Sequence, residues 1–308
     1  MQQALTLGLA IFTLLVAAVP QVSAAESALQ DGGALQALIT TSELVVGQNR
    51  FAFGLLKNSL LLNAATVVVR VYVLQGSQGQ LYAETSAPYH KLEVMEQGHH
   101  VHVHPDGTRH VHHGKTDLQG IYVAQLTFPH PGTWGLEVLA RQGQETAEVS
   151  RFTVQVLDAP LTPAPGTSAP RSHNLIASDV TDLRQIDTSE PPDPRLHQVR
   201  IADAIAQGKP QVIVFATPRF CTSRVCGPVL DVVRMLLPRY GDRVVFTHQE
   251  LWQDANTRQP FPIVTEWNLY SEPWIFVVDG KGIIRAKFEG LVTVGELEDV
   301  LRQVLEQG

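Results

Sequence analysis

The sequence predicts a chain of two classes: an all-β sandwich over residues 40–157, then an α/β fold over 173–308 with a mixed central sheet flanked by helices. Three observations predict this. Strand-like runs bounded by Gly, Pro or Asn fill the first half. A stretch crowded with Pro, Ala, Ser and Thr, "DAPLTPAPGTSAPRS" at 158–172, carries no apolar period and reads as a semi-extended linker. Beyond it, helical and strand periods alternate.

The chain opens with "MQQALTLGLAIFTLLVAAVPQVSAAES", apolar from Leu5 to Val19, broken at Pro20 and closed by Ser23, Ala24 and Ala25. Residues 1–24 therefore read as a secretory signal peptide. The run is short for a spanning helix, which needs about 20 residues. It also lacks a Lys or Arg at its start, so an uncleaved membrane tether or a misassigned start codon are the competing readings. The expectation is an extracytoplasmic protein, secreted or periplasmic. With 44% hydrophobic and 17% charged residues the composition is ordinary for a globular protein, and a formal charge of -7 gives no basic face for nucleic acid.

In the first region the runs "ATVVVRVYVL" at 65–74, "GIYVAQLTF" at 120–128, "GTWGLEVLA" at 132–140 and "EVSRFTVQVL" at 148–157 read as strands. Several alternate, which favours antiparallel sheets packed as a sandwich, with Tyr122 and Trp134 as core anchors. A Tyr-bearing strand, a turn and a Trp-bearing strand follow one another in "GIYVAQLTFPHPGTWGLEVLA". That order resembles the immunoglobulin-like domains of secreted bacterial proteins. Such sandwiches host many functions, so the resemblance implies a fold and no activity.

Eight of the twelve histidines fall between residues 90 and 113. His100, His102 and His104 alternate on one arm, His110 and His112 on the other, and "PDGT" between them is a turn candidate. Paired as a hairpin, these arms would gather imidazoles for Cu(II), Ni(II) or Zn(II). The competing reading is a solvent-facing loop. Asp106 and Asp117 sit in turn-like sequence, so no hydrolytic metal constellation is expected.

In the second region "RLHQVRIADAIAQGKP" at 195–210 reads as an amphipathic helix ended by Gly208 and Pro210. It feeds a buried strand, "QVIVFATP". The cysteine segment "PRFCTSRVCGP" at 218–228 follows, and then a helix, "PVLDVVRMLLPRYG". After them come a strand "RVVFTH", a short helix around "PIVTEWNL", a hairpin "SEPWIFVVDGKGIIRAKFEG" turning at residues 279–282, and a closing helix "VGELEDVLRQVLEQ".

"VIVFATPRFC", "CGP" at 226–228, "SEPWIFVVDGKG" and the closing helix together resemble the thioredoxin-like superfamily, in particular its secreted redoxin branch. On that resemblance Pro273 is the cis-proline facing the active-site thiol and Glu272 the residue before it. A cis X-Pro bond there turns the preceding backbone toward the cysteine, where a substrate strand can pair. Most members separate their two cysteines by two residues, whereas Cys221 and Cys226 enclose "TSRV".

Two alignments therefore remain open. Either Cys221 attacks and Cys226 resolves, or "CGP" keeps its family place and Cys226 attacks. Pro228 suits a first helical turn, which starts the helix near Cys226 and leaves Cys221 in the preceding loop. Five residues apart in one continuous helix, the Cα atoms would stand about 8 Å apart. That exceeds the disulfide range of about 4.4–6.8 Å, so the loop must fold back for the sulfurs to meet. Helix N-terminal amides, with Arg219 and Arg224, favour a thiolate. A purely structural bond closing so short a loop would contribute only about 2–3 kcal/mol.

The main expectation is thiol–disulfide exchange through Cys221, Cys226 and Pro273, with protein disulfides or thiols outside the cytoplasm as partners. A membrane-bound electron donor or acceptor is a further candidate partner; no organic cofactor is called for. One alternative is metal binding or delivery, with copper or another transition metal held by the thiols, by His248, or by the His-rich arms. Another is a thiol peroxidase of the bacterioferritin-comigratory peroxiredoxin type, which "CTSRVC" resembles. Val214 and Pro218 stand where that family carries its Pro and its Thr or Ser, and Thr217 is one place off.

Overall fold

The computed structural model describes residues 35–307 apart from 77, 94–98, 104–108, 114–118, 222–224 and 255–256, and only the backbone of 99–103 and 109–113. The leader expected over 1–24 lies outside the described residues, as do His104 and Arg224.

The first region holds strands β1 (Gln36–Ile39), β2 (Leu44–Val45), β3 (Gly47–Lys57), β4 (Leu60–Leu61), β5 (Thr66–Gln75), β6 (Gln78–Ser86) and β7 (Tyr89–Lys91). It continues with β8 (His99–Val103), β9 (Arg109–His113), β10 (Gly120–Phe128), β11 (Gly132–Arg141) and β12 (Glu148–Leu157). One sheet runs β1-β3-β10-β7 with β4 added to β3; the other runs β2-β12-β11-β5-β6. The two-residue period of β5 buries Val67, Val69 and Val71 and turns the residues between them outward. Its partner β11 buries Trp134, Leu136 and Val138 on the same principle. Phe51, Phe53 and Tyr122 from the first sheet meet these residues in one core. Tyr122 is satisfied there, donating to the Leu62 carbonyl at 2.8 Å and accepting the Ala65 amide at 3.0 Å.

The second region holds α1 (Ile201–Ala206), β13 (Gln211–Phe215), α2 (Cys226–Tyr240), β14 (Val245–Gln249), the small hairpin β15 (Trp252–Asp254) and β16 (Gln259–Pro260), and α3 (Pro262–Glu266). It ends with β17 (Trp274–Val278), β18 (Ile284–Glu289) and α4 (Val294–Gln307). Its central sheet is mixed, in the order β14-β13-β17-β18, with β13 parallel to β14 and antiparallel to β17. β13 and β17 are buried on both faces. Val212, Val214, Ile275 and Val277 pack with α2 and α4, while Ile213, Phe215 and Phe276 pack with α1, α3 and Trp267.

The helix expected over 195–210 is shorter and broken. A single 3-10 turn spans Pro194–His197, and α1 begins only at Ile201. Arg200 between them is extended, and the Asn174 side chain accepts the Ile201 amide at 2.8 Å in place of a preceding helical turn. The break lets His197 enter the interior.

The two regions pack as one unit. Arg50 of β3 grips Glu296 of α4 in a fork, Nε to Oε1 at 2.7 Å and Nη2 to Oε2 at 3.1 Å. Glu289 of β18 accepts the backbone amides of Ser42 and Glu43 at 2.7 and 2.8 Å. Glu43 in turn accepts the Leu161 and Thr162 amides and pairs with Lys287, so residues 158–172 are tied down rather than loose. Gly290 sits at φ 72°, and a Cβ there would stand 2.4 Å from the Thr40 carbonyl oxygen, so glycine is required where the regions touch.

Candidate functional site

Cys221 and Cys226 form a disulfide with their Cα atoms 6.2 Å apart, inside the bonding range. Cys226 is the first residue of α2, whose opening turn is closed by the Val229 amide on the Val225 carbonyl. Cys221 lies after β13 and before that helix, and the 6.2 Å separation is shorter than the about 8 Å of one continuous helix. Cys221 is 3% exposed and Cys226 fully buried. Both belong to an extended apolar cluster that also takes in Ala52, Leu92, Ile121 and Val123 of the first region. A pair so joined is capable of disulfide chemistry.

A buried carboxylate faces this pair. Glu272 Oε2 lies 3.6 Å from Cys226 Sγ and accepts the Thr217 amide at 2.8 Å, and the Trp252 indole reaches Oε1 at 3.4 Å. The Glu272–Pro273 peptide is cis. Burial pushes the Glu272 carboxyl above its ordinary value, against the opposing hydrogen bonds from Trp252 and Thr217. The Thr217 hydroxyl accepts the Leu251 amide at 3.1 Å, so it is committed to packing behind the strand.

A second polar cluster is buried behind β13. Asp187, His197 and His248 bring ligand atoms within 4.8 Å of one another, the one such grouping among the described residues. His248 thus turns to Asp187 and His197; the set of Cys221, Cys226 and His248 entertained for copper is not assembled. Asp187 accepts the Ser189 and Asp193 amides at 2.9 Å each. Burial would raise its pKa, but His248 and the hydrogen bonds outweigh that and hold it far below the carboxylate range. Burial also lowers His197 despite Asp187. For His248 the burial penalty is overcome by Asp187, which leaves it above its ordinary value. Glu250 nearby is pushed up to about 7 by burial.

The His-rich arms pair as β8 and β9, with His100 opposite His112 and His102 opposite His110 in the backbone register.

Sequence reasoning singled out the cysteines, Pro273 and His248. It gave no role to Glu272 and passed over Asp187 and His197, which "DTSEPPDPRLH" carries ten residues apart in an irregular loop. Three prolines in that stretch were the available signal of a fixed, rather than a loose, segment.

No protein-family model and no curated protein matches the chain. Among solved structures, a family 123 glycoside hydrolase from Clostridium perfringens is similar over 42% of this chain and 28% of its own, at 10% identity and a TM-score of 0.23. A likeness that slight carries no argument about fold or activity.

Proposed function

We propose that the protein is an extracytoplasmic thiol–disulfide oxidoreductase acting on protein disulfides or thiols, with an immunoglobulin-like sandwich preceding a thioredoxin-like region. The observation that carries the reading is the Cys221–Cys226 disulfide at the start of α2 with Glu272 beside Cys226. The sheet order β14-β13-β17-β18, with thiols between β13 and α2, supports the family resemblance. The apolar leader and the oxidised pair suit an oxidising compartment.

In the reducing direction a second dithiol, with a membrane-bound donor as the candidate, first converts the disulfide to two thiols. The Cys221 thiolate then attacks a substrate disulfide, forming a mixed disulfide and releasing one substrate thiolate. Cys226 passes its proton to Glu272 and attacks Cys221 Sγ, which restores the internal bond and expels the second substrate thiolate. Glu272 returns the proton to that leaving sulfur. Two electrons have moved to the substrate, and both its sulfurs leave as thiols once the first thiolate takes a proton from solvent. An ionised Glu272 at 3.6 Å opposes a thiolate on Cys226, which favours Cys221 as attacker. Cys221 also keeps what little exposure the pair has.

The test gives the purified protein a disulfide-bonded protein with dithiothreitol and, in parallel, hydrogen peroxide with the same reductant. Reduction of the protein disulfide well above the uncatalysed rate, lost in Cys221→Ser, is the expected result. Rapid peroxide turnover, or no acceleration of either reaction, would overturn the reading.

The register of β8 on β9 favours a second, separate property, in which His100, His102, His110 and His112, with His104 beyond them, bind Cu(II) or Ni(II). Its test is metal titration of the whole protein against a form with these histidines changed to Ser; equal binding by both would remove it.

A further inference from the structure

His248 Nε2 lies 2.8 Å from the Ala216 carbonyl oxygen, which only accepts, so that nitrogen carries a hydrogen. In a neutral ring Nδ1 is then a lone pair. It is fully buried, has no hydrogen-bond partner, and stands 3.5 Å from Asp187 Oδ1. His197 Nε2 approaches the other oxygen, Oδ2, at 3.1 Å. Two acceptors facing each other in the interior repel unless a cation lies between them.

The local charge points the same way. Asp193 and Asp231 pair with one half-buried guanidinium, Arg234, whose Nη2 donates to Ser189 Oγ at 2.7 Å, and that hydroxyl in turn donates to Asp187. Arg195 pairs with Asp193 from the exposed side. The cluster is left with surplus negative charge when both imidazoles are neutral.

From this geometry we infer that Asp187, His197 and His248 form a binding site for a single divalent transition ion of the zinc class. With ligand bonds of about 2.0–2.1 Å, the edges of a tetrahedral site measure about 3.4 Å; the 3.5 Å from His248 Nδ1 to Asp187 Oδ1 matches one such edge, and one ligand atom from each of the three residues lies within 4.8 Å of the others. The outer groups are those such a site requires: the second nitrogen of His248 is fixed on a backbone carbonyl, and the carboxylate is oriented by the Ser189 and Asp193 amides. A cavity of about 570 Å³ lined by His173, His248, Glu250 and Gln253 adjoins the cluster and offers a way in. The rival occupant of the gap is a proton, which would make His248 an imidazolium paired with Asp187. This site is independent of the thiols and of the His-rich arms.

The experiment uses the full chain with its disulfide intact and the histidines at 99, 100, 102, 104, 110, 112 and 113 changed to Ser. Co(II) and Zn(II) are titrated separately. One Co(II) per chain with the intense visible bands of a tetrahedral site, displaced by Zn(II) and raising the melting temperature, is expected. His248→Gln and His197→Gln should each abolish it. Nitrogen NMR of the unsubstituted cluster gives a readout that does not depend on a variant folding: the His248 Nδ1 resonance should move on adding Zn(II). No stoichiometric ion, binding that survives His248→Gln, or an Nδ1 that stays protonated with Zn(II) present would each overturn the site.

Discussion

Glu272 Oε2 lies 3.6 Å from Cys226 Sγ and is held there by the Thr217 amide at 2.8 Å. On the proposed mechanism, once the disulfide is reduced, a carboxylate at that distance takes the proton of the Cys226 thiol and sets when it can act. Burial keeps the Glu272 pKa above the ordinary carboxylate value, so the rate of resolution should rise with pH through an inflection above that range. Glu272→Gln should remove the inflection and slow resolution by about 10²-fold. Stopped-flow decay of a preformed mixed disulfide across pH measures both. The same shift has a stability sign. The folded state holds this proton after the unfolded chain has lost it, so stability falls as pH rises from the ordinary value to the raised one. Urea unfolding of the oxidised protein should show that slope, and the Gln variant should show a shallower one, because Glu250, pushed up to about 7, still contributes in the same sense.

The two thiols should not be interchangeable. Cys226→Ser should accumulate a mixed disulfide through Cys221 with a substrate or a thiol reagent, and Cys221→Ser should accumulate none. Mass spectrometry of the trapped species reads the result. Trapping through Cys226 alone would transfer the attacking role and select the alignment that keeps "CGP" in its family place.

Glu43 should matter more for stability than its place in a short connection suggests. Its carboxylate accepts two amides and the hydroxyl of residues 161–162 and pairs with Lys287, itself largely enclosed. Glu43→Ala leaves that ammonium and those amides without their acceptor, a loss of about 3 kcal/mol. Denaturant unfolding gives the magnitude. Limited proteolysis should show new cleavage within residues 158–172, which the wild type protects.

Much of this architecture was legible because it rests on local period. Val67, Val69 and Val71 alternate into the core, and β10 and β12 begin and end where their turn residues place them. The start of α2 at Cys226 is legible from Pro228, since proline is favoured in the first helical turn, although Pro238 lies inside the same helix. What the period could not show is what the chain brings together over long separations. Glu43 meets Lys287 244 residues away, and neither position carries a local signal of the other. Asp187 and His197 escaped notice because the helix read through His197 is broken before Ile201, whose amide donates to the Asn174 side chain, a long-range contact that no periodicity encodes. Glu272 was visible only as the residue before Pro273; its chemistry depends on burial, which sequence alone does not display.

The last prediction concerns what covers the disulfide. Cys221 and Cys226 are 3% and 0% exposed, so a soluble reductant reaches the bond only when its surroundings open. Ile121 of β10 is fully buried in the same apolar cluster as both cysteines, and it comes from the sandwich. Ile121→Ala removes three carbons from that cluster and should cost about 3 kcal/mol of stability. If opening means parting the sandwich from α2, the same loss should favour the open form and speed reduction by dithiothreitol by up to about 10²-fold, at 1.4 kcal/mol per tenfold. Val69→Ala is the control. Val69 is equally buried but lies in the core between the two sandwich sheets, in a cluster that excludes the cysteines. It should lower global stability while leaving the reduction rate close to wild type. Alkylation after timed exposure to reductant, under conditions where all three proteins remain folded, measures the rates. Equal acceleration in both variants would mean that the bond is reached only by global unfolding, and no acceleration in Ile121→Ala would mean that the sandwich does not gate it.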